Sequence, residues 1–276
     1  MEPTEAPPLP KEENPFTSRI PAVDNNKPKS ILDSITTRKR RRPIFALLYG
    51  PPGVGKSTFA SQAPNAVFIQ CERGLDQITA ARLPIPKTLN DYKLQIQALV
   101  KEEHDFGTIV IDTLDALELL VWEEVCRIGK CTSIEDYGGG YQKGYVKARE
   151  IFTKILERLI EMSEHLNVLL VAHARVKSFT DPMLSAPYDQ WQLRIEQKSA
   201  ELLFQMVDLV LFANVAKTLE KESAKARKGR ALVSNDREMW TQPSTGIIAK
   251  NRFNLPSPMP FEWEALAEEV GKFYDK

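Results

Sequence analysis

Residues 50–58 read GPPGVGKST, and this stretch decides the fold. It matches the pattern G-x-x-x-x-G-K-[ST] in full, with a short apolar run at residues 44–50 before it and a helical pattern at residues 57–62 after it. Glycines in such a loop let successive backbone N–H groups turn inward around a phosphate, and the helix start adds its positive dipole end. The context favours a phosphate-binding loop over a glycine turn with a chance lysine.

The polar residues of this loop have expected tasks. Lys56 would bring a cation to the β- and γ-phosphates, the Ser57 hydroxyl would ligate Mg²⁺, and Thr58 would start the helix. ATP and Mg²⁺ are therefore the expected cofactors. The predicted nucleotide-binding residues are Gly50, Pro51, Pro52, Gly53, Val54, Gly55, Lys56, Ser57 and Thr58.

Further along the chain, apolar runs alternate with helical patterns. The runs that predict strands lie at residues 44–50, 66–71, 107–113, 167–174 and 206–215. The helical patterns lie at residues 57–62, 89–103, 114–128 and 142–165. Runs that are apolar throughout are typical of a parallel sheet covered on both faces. We therefore predict an α/β fold with a mostly parallel sheet and helices on both faces, followed by a hairpin at residues 231–250 and a helix at residues 263–272.

Charged and polar residues follow three of the predicted strands. Asp112 ends the run at 107–113, where it could organise the Mg²⁺ shell, and we interpret Asp115 as the cap of the next helix. Glu72 follows the run at 66–71, either as the group that orients water or as a surface carboxylate at a turn. His173 ends the run at 167–174, either as a sensor of the γ-phosphate or as a core histidine with satisfied hydrogen bonds.

Four segments together resemble the RecA-like recombinase ATPases: VFIQCERGLDQITA (67–80), TIVIDTLDAL (108–117), LLVAHARVKSF (169–179) and AKNRF (249–253). The resemblance implies that Glu72 is the catalytic base, that Asp112 belongs to the Walker B strand, and that His173 stands where RecA has glutamine. It further implies that Lys250 and Arg252 act in trans on the γ-phosphate of a neighbouring protomer. The implied catalytic residues are Lys56, Glu72, Asp112 and His173.

More closely, the chain resembles phage-encoded RecA-like ATP-binding proteins used in single-strand annealing and recombination, through ITTRKRRRPIFALLYGPPGVGKST, FIQCERGLD, VAHARVKSF and IIAKNRFNLP. This resemblance spans residues 34–260 and implies a RecA-like ATPase domain at residues 44–276. The resemblance does not extend to the folded N- or C-terminal DNA-binding domain of full-length recombinases, so it does not imply duplex capture or autonomous strand exchange.

Basic and aromatic residues alternate in two segments, as in grooves that bind single-stranded nucleic acid. The first, DYGGGYQKGYVKAR at residues 136–149, lies where RecA-like proteins have a DNA loop; its tyrosines could instead pack on the following helix. The second, residues 175–194, contains Pro182 and Pro187, which argue against regular structure. A third, residues 217–230, is basic and equally consistent with a solvated helix face. The predicted DNA-binding residues are Tyr137, Tyr141, Lys143, Tyr145, Lys147, Arg149, Arg175, Lys177 and Arg194.

The first 43 residues are proline-rich and lack glycine, which predicts a flexible, disordered arm. The arm ends in five basic residues at 38–42, interpreted as a solvated linker or as a contact for phosphates. Lys+Arg and Asp+Glu number 37 each, three cysteines are present, and no membrane span or signal segment is apparent. These features predict a cytoplasmic protein, in the bacterial host if the chain is phage-encoded.

The combined expectation is an ATP-dependent recombinase or annealing ATPase, stimulated by single-stranded DNA, that hydrolyses ATP between protomers of a filament or ring. A single-stranded DNA-binding protein is a further expected partner. One alternative is a DNA-binding structural protein clamped by ATP with negligible hydrolysis. Another is a ring motor or helicase loader of the same superfamily. A small-molecule kinase is disfavoured because it would leave the basic and aromatic segments unexplained.

Overall fold

A computed structural model describes residues 31–220 and 230–275. Most of the predicted N-terminal arm and the middle of the third basic segment therefore lie outside the described residues. Residues 31–40 belong to the first of two compact units and contain a short 3-10 helix, Ile31–Ser34. The second unit begins at Arg41 and contains the elements that follow.

The described part of this unit contains strands and helices in alternation. The strands are β1 (Phe45–Gly50), β2 (Ala66–Gln70), β3 (Ala81–Arg82), β4 (Thr108–Asp112), β5 (Asn167–Phe179), β6 (Tyr188–Leu193), β7 (Leu209–Glu220), β8 (Arg230–Trp240), β9 (Lys250–Asn251) and β10 (Met259–Pro260). The helices are α1 (Lys56–Ser61), α2 (Leu89–Lys101), α3 (Leu114–Gly129), α4 (Lys143–Ser163), α5 (Gln197–Met206) and α6 (Trp263–Asp275), with a 3-10 helix at Ile134–Gly139. No helix in residues 31–220 or 230–275 is long and apolar enough to cross a membrane.

The strands form one sheet in the order β10-β8-β7-β1-β5-β4-β2-β3, with β6 paired to β5 and β9 paired to β7. From β7 to β3 all neighbours are parallel, and β8 and β10 add an antiparallel margin. The predicted α/β fold with a mostly parallel sheet is confirmed. Because the strands are parallel, the loops after β1, β2, β4 and β5 all open on the same edge of the sheet.

Successive residues of the central strands point to opposite faces, and each face carries its own apolar layer. Leu47 and Tyr49 pack with residues of α2, α3, α4 and α5. Leu48 packs on the other side with α1 and α6, for example with Phe59 and Trp263. Helices therefore cover both faces, as the continuous apolar runs predict.

Two regions differ from the prediction. The segment at 175–194 is not irregular: β5 continues from the sheet to Phe179 and pairs with β6 in an antiparallel hairpin, and Pro182 and Pro187 lie in the connection between the two strands. The predicted hairpin at 231–250 is wrong as well, because β8 pairs with β7 on one side and β10 on the other. Proline restricts only the turn, so the flanking residues are free to form a ladder.

Candidate active site

The loop between β1 and α1 depends on glycine at three points. Gly53 and Gly55 have φ angles of 77° and 96°, a left-handed conformation that other residues rarely adopt. A Cβ on Gly50 would collide with the carbonyl oxygen of Ala213 on β7. Val54 is buried in the apolar layer beneath the loop. The loop is therefore a tight backbone turn at residues 50–55, here called the phosphate cradle, anchored by the buried side chain of Val54.

The Lys56 side chain lies inside this cradle and is only 6% exposed. Its Nζ donates hydrogen bonds of 3.0 Å to the carbonyl oxygens of Gly50 and Pro51. Burial lowers the pKa of the ammonium group, while nearby carboxylates act in the opposite direction. An ammonium group has three donors, so a third remains for a phosphate oxygen. The cradle and its cation fit the phosphates of a nucleotide.

Ser57 connects the loop to the neighbouring parallel strands. Its Oγ donates a 2.6 Å hydrogen bond to Oδ2 of Asp112, at the end of β4. Burial raises the pKa of Asp112, and the hydrogen bond from Ser57 and the charge of Lys56 lower it. A hydroxyl and a carboxylate are hard oxygen ligands, so Ser57 and Asp112 are the residues that would hold Mg²⁺. Thr58, by contrast, is exposed on α1.

Glu72 lies two residues beyond the end of β2, next to the strand that carries Asp112. Its Oε1 is 3.8 Å from Nε2 of His173, and its side chain is 42% exposed. Partial burial raises the pKa of Glu72, and His173 opposes that shift. The structure therefore brings together the loop lysine, the strand aspartate and the two residues predicted to act on water and phosphate.

Asp115 has a different position from the one predicted. Thr113 caps α3 by accepting the N–H of Ala116, whereas Asp115 turns toward β5. The backbone N–H of His173 donates to Asp115 Oδ1 at 2.7 Å, and His173 Nδ1 lies 2.9 Å from Oδ2. Burial alone would raise the pKa of Asp115, but these hydrogen bonds and one from Thr113 bring it below its usual value. Sequence reasoning missed this pairing because residues 115 and 173 are distant in the chain.

Glu72, Asp115 and His173 form a cluster in which one ligand atom from each lies within 4.8 Å of the others. Carboxylates and imidazole are ligands for divalent metals. The hydrogen bonds between Asp115 and His173 fix the ring so that Nε2 faces Glu72. In this arrangement the cluster orients a histidine beside a carboxylate at the mouth of the phosphate cradle.

Arg237 on β8 is a candidate residue that the sequence analysis did not single out. Its guanidinium lies against the cradle, since a Cβ built on Gly55 would be 2.7 Å from Nη1 and 3.3 Å from Cζ. Among residues 31–220 and 230–275 this side chain makes no hydrogen bond or ion pair. The strand pairing that places it there, Val215 with Arg237, has no signature in the sequence.

The three tyrosines of the first basic segment do not share one surface. Tyr137 packs with the apolar layer, and Tyr145 lies edge-on to Trp122 with a centroid distance of 5.5 Å. Tyr141 alone among them is fully presented, with 93% of its surface exposed. Packing against the helices, the alternative considered for these residues, therefore applies to two of the three.

The basic residues of that segment make local contacts. Lys143 Nζ donates to the carbonyl oxygen of Gly138 at 2.9 Å, and Lys147 pairs with Glu150 at 2.9 Å. Arg149 Nε lies 3.9 Å from Glu196 and has no hydrogen-bond partner among the described atoms. The first two contacts are solvent-exposed, so they would exchange readily for contacts with a phosphate backbone.

The β5–β6 hairpin carries the remaining predicted DNA-binding residues. Arg175, Lys177 and Arg194 are exposed on it, and Arg175 Nη2 donates to the carbonyl oxygen of Ile195 at 3.3 Å. Phe179 and Tyr188 pack edge to face near its tip, with centroids 5.7 Å apart. The hairpin starts at His173, so these side chains follow directly from the candidate active site.

Lys250 and Arg252 lie away from the phosphate cradle of their own chain. Lys250 pairs with Val210 near the amino end of β7, whereas the cradle borders the carboxyl end of β1. Its Nζ donates to three carbonyl oxygens at the end of α5, the shortest distances being 2.7 Å, and Arg252 Nη1 lies 2.8 Å from Asp208.

Comparison with known proteins places the fold and the loop in one family. Residues 42–253, well over half of the chain, match the family model AAA_24, whose description is AAA domain. No curated protein matches the chain. Domains of this class bind a nucleoside triphosphate with Mg²⁺ and hydrolyse it. The chain therefore belongs to the AAA domain family of P-loop ATPases.

Proposed function

We propose that this protein hydrolyses ATP with Glu72 as the group that orients and deprotonates the attacking water. The observation that carries the proposal is the convergence of Lys56, Asp112, Glu72 and His173 at one edge of the sheet. Lys56 would neutralise the phosphates, and Ser57 and Asp112 would hold Mg²⁺, which stabilises the charge on the leaving phosphate oxygens. His173, whose Nδ1–H donates to Asp115, would in its doubly protonated form also donate from Nε2 toward the γ-phosphate and so register its presence.

Arg237 extends this proposal to the outer side of the cradle. A guanidinium binds phosphate oxygens through two parallel hydrogen bonds, and this one lies next to Gly55 without a carboxylate partner among the described residues. Arg237 would then bind a phosphate of the nucleotide from the same chain that supplies Lys56.

We further propose that the protein acts on single-stranded DNA, as a recombinase or annealing ATPase similar to RecA and to the phage-encoded proteins it resembles. The β5–β6 hairpin supports this part because it joins the active site to exposed Arg175, Lys177 and Arg194, with an aromatic pair at its tip. Cations and aromatic faces are the two features that hold single strands. Exposed Tyr141 would add a stacking position.

The proposed assembly is a filament or ring in which Lys250 and Arg252 reach the γ-phosphate of the next protomer. Their distance from their own cradle supports action in trans. Lys250 would exchange the carbonyl oxygens at the end of α5 for phosphate oxygens when protomers associate. A single-stranded DNA-binding protein would supply or protect the DNA substrate.

An ATP-turnover assay with and without a single-stranded oligonucleotide tests this function. We expect measurable turnover that rises about tenfold or more with DNA, and its loss in Lys56→Ala. Replacing Arg175 and Lys177 by alanine should abolish the rise but not the basal rate. Glu123→Ala, exposed on α3, is the control. Turnover without any DNA response would contradict the DNA part alone, whereas equal turnover in Lys56→Ala would contradict the site.

A further inference from the structure

The β5–β6 hairpin leaves the sheet at its base, and β6 is also held in mid-strand, where the N–H of Trp191 donates to the carbonyl oxygen of Gly246 at 2.8 Å. The first part of β5 pairs with β1 and β4, and from Ala174 onward the strand pairs with β6 instead, from Ala174 with Leu193 to Phe179 with Tyr188. At the base, the N–H of Arg194 donates to the carbonyl oxygen of His173 at 2.9 Å. The contacts at this base connect the two strands of the hairpin to the candidate active site.

The outgoing strand is held by Asp115. Both the backbone N–H and the ring Nδ1 of His173 contact its carboxylate, at 2.7 and 2.9 Å. Asp115 lies in the first turn of α3, three positions after Asp112, the β4 aspartate that would hold Mg²⁺. The first contact thus connects β5 to the helix that begins at the metal-binding position.

The returning strand is held by a second carboxylate of the same helix. Glu118 is only 6% exposed, and its two oxygens lie 3.0 and 3.1 Å from the backbone N–H of Glu196, three residues after the end of β6. Glu196 in turn caps α5 through the N–H of Ser199 at 2.9 Å. Glu118 therefore fixes the point at which the chain leaves the hairpin and enters α5.

Among the described residues, the buried Glu118 carboxylate accepts a hydrogen bond from a single backbone donor, although its burial carries a free-energy cost. Glu118 lies three positions after Asp115, so the two side chains project from neighbouring positions on one face of α3. The groups that face Glu118 include the Glu196 carboxylate, Asp115 and the Arg175 guanidinium. One rigid helix thus contacts both ends of the hairpin, and it starts where the nucleotide's metal would bind.

We propose that Glu118 is a positioning residue that couples the returning strand of the β5–β6 hairpin to the nucleotide site, so that the two strands respond to bound nucleotide together. The inference rests on the proposed function because it takes ATP as the ligand of the cradle. Asp115 transmits a shift of α3 to β5, and Glu118 transmits the same shift to β6 and α5. The hairpin then changes position as a unit and does not shear.

Hydrogen–deuterium exchange of the full chain, with and without a non-hydrolysable ATP analogue, tests this coupling. In the wild-type protein the analogue should slow exchange in both strands of the hairpin, by about threefold or more. In Glu118→Ala the slowing should persist in β5 and be lost in residues 188–196, with the affinity for the analogue unchanged. Glu118→Gln should behave like the wild type, since an amide oxygen still accepts the N–H of Glu196.

Two further variants make the outcome decisive. Glu118→Asp withdraws the carboxylate by one methylene, so bound analogue should no longer slow hydrogen–deuterium exchange in β6. This variant tests the coupling if the alanine variant does not fold. Glu123→Ala on the same helix should match the wild type. Full slowing in Glu118→Ala or Glu118→Asp would overturn the coupling, as would binding of the analogue without any slowing in wild-type β6. Failure of the wild type to bind the analogue would overturn the proposed function and this inference with it.

Discussion

Asp115 binds His173 twice, through the backbone N–H at 2.7 Å and through the ring Nδ1 at 2.9 Å. The pair joins the start of α3 to the middle of β5, and it leaves Nε2 of the ring 3.8 Å from Glu72. A histidine held at one nitrogen has a defined orientation and tautomer at the other. Asp115 thus positions the proposed phosphate sensor, His173, beside Glu72, the carboxylate proposed as the base.

Replacing Asp115 by asparagine should impair turnover more than nucleotide binding. The asparagine side chain is uncharged and has one acceptor oxygen in place of two, so it cannot accept from both the backbone N–H and the ring Nδ1 of His173 as the carboxylate does. The ring of His173 then loses its orientation. We expect kcat to fall by about 10- to 100-fold, with the nucleotide dissociation constant changed by less than about threefold. Steady-state kinetics and fluorescent-nucleotide binding measure the two quantities. An equal loss in both would indicate a general structural defect.

Glu118 should make stability depend on pH. Burial raises its pKa from 4.5 to about 7. Between these values the folded state binds more protons than the unfolded state, so this group's contribution to the free energy of unfolding declines as pH rises. Glu118→Gln lacks that decline, and its stability relative to wild type should increase by about 1–3 kcal/mol between pH 5 and pH 8. Urea unfolding at both pH values measures this difference in the free energy of unfolding. The same difference between the two proteins at pH 5 and at pH 8 would contradict the raised pKa of Glu118.

Arg237 should contribute to nucleotide affinity. Arg237→Ala removes a guanidinium that lies against Gly55, and we expect ATP to bind about tenfold more weakly. Arg237→Lys should restore part of the loss, because lysine supplies charge without the two-pronged geometry. Equilibrium binding of a fluorescent ATP analogue gives the values. Unchanged affinity in Arg237→Ala would place the residue outside the nucleotide site.

Action in trans can be tested by mixing two inactive variants. Glu72→Gln lacks the base but keeps Lys250, and Lys250→Ala lacks the trans cation but keeps the base. In an assembly, an interface formed by the Lys250→Ala cradle and the Lys250 of a Glu72→Gln protomer has every residue it needs. We expect the mixture to recover about a quarter of wild-type turnover for random pairing. No recovery over the separate variants would contradict the arrangement.

Much of the fold followed from local patterns. Helix α2 begins at Leu89 and helix α3 at Leu114, as the sequence predicts, because apolar periodicity and a threonine N-cap act over a few residues. The phosphate loop was predictable for the same reason, since its shape depends on glycines adjacent in the chain. Glu72, Asp112 and His173 came together because parallel strands bring their carboxyl ends to one edge.

The two fold predictions that were wrong, at residues 175–194 and 231–250, concern strand pairing between segments that are distant in the sequence. Residues 188–193 form β6 by pairing with the part of β5 that extends beyond the sheet, and β8 pairs with β7 across residues 221–229, which lie outside the described residues. The tyrosines at residues 137–145 remain predicted DNA-binding residues, and the packing of Tyr145 on Trp122 agrees with the alternative that they pack on the neighbouring helices. Such outcomes depend on tertiary contacts that no window of sequence contains.

Glu72 is proposed as the base that deprotonates the attacking water during ATP hydrolysis. The most direct measurement compares single-turnover hydrolysis of bound ATP in the wild type and in Glu72→Gln, with nucleotide affinity determined for both. We predict equal affinity within about threefold and a hydrolysis rate lower by about 100-fold or more in the variant, because the amide cannot accept the proton of the attacking water. Equal hydrolysis rates in the two proteins would contradict the account.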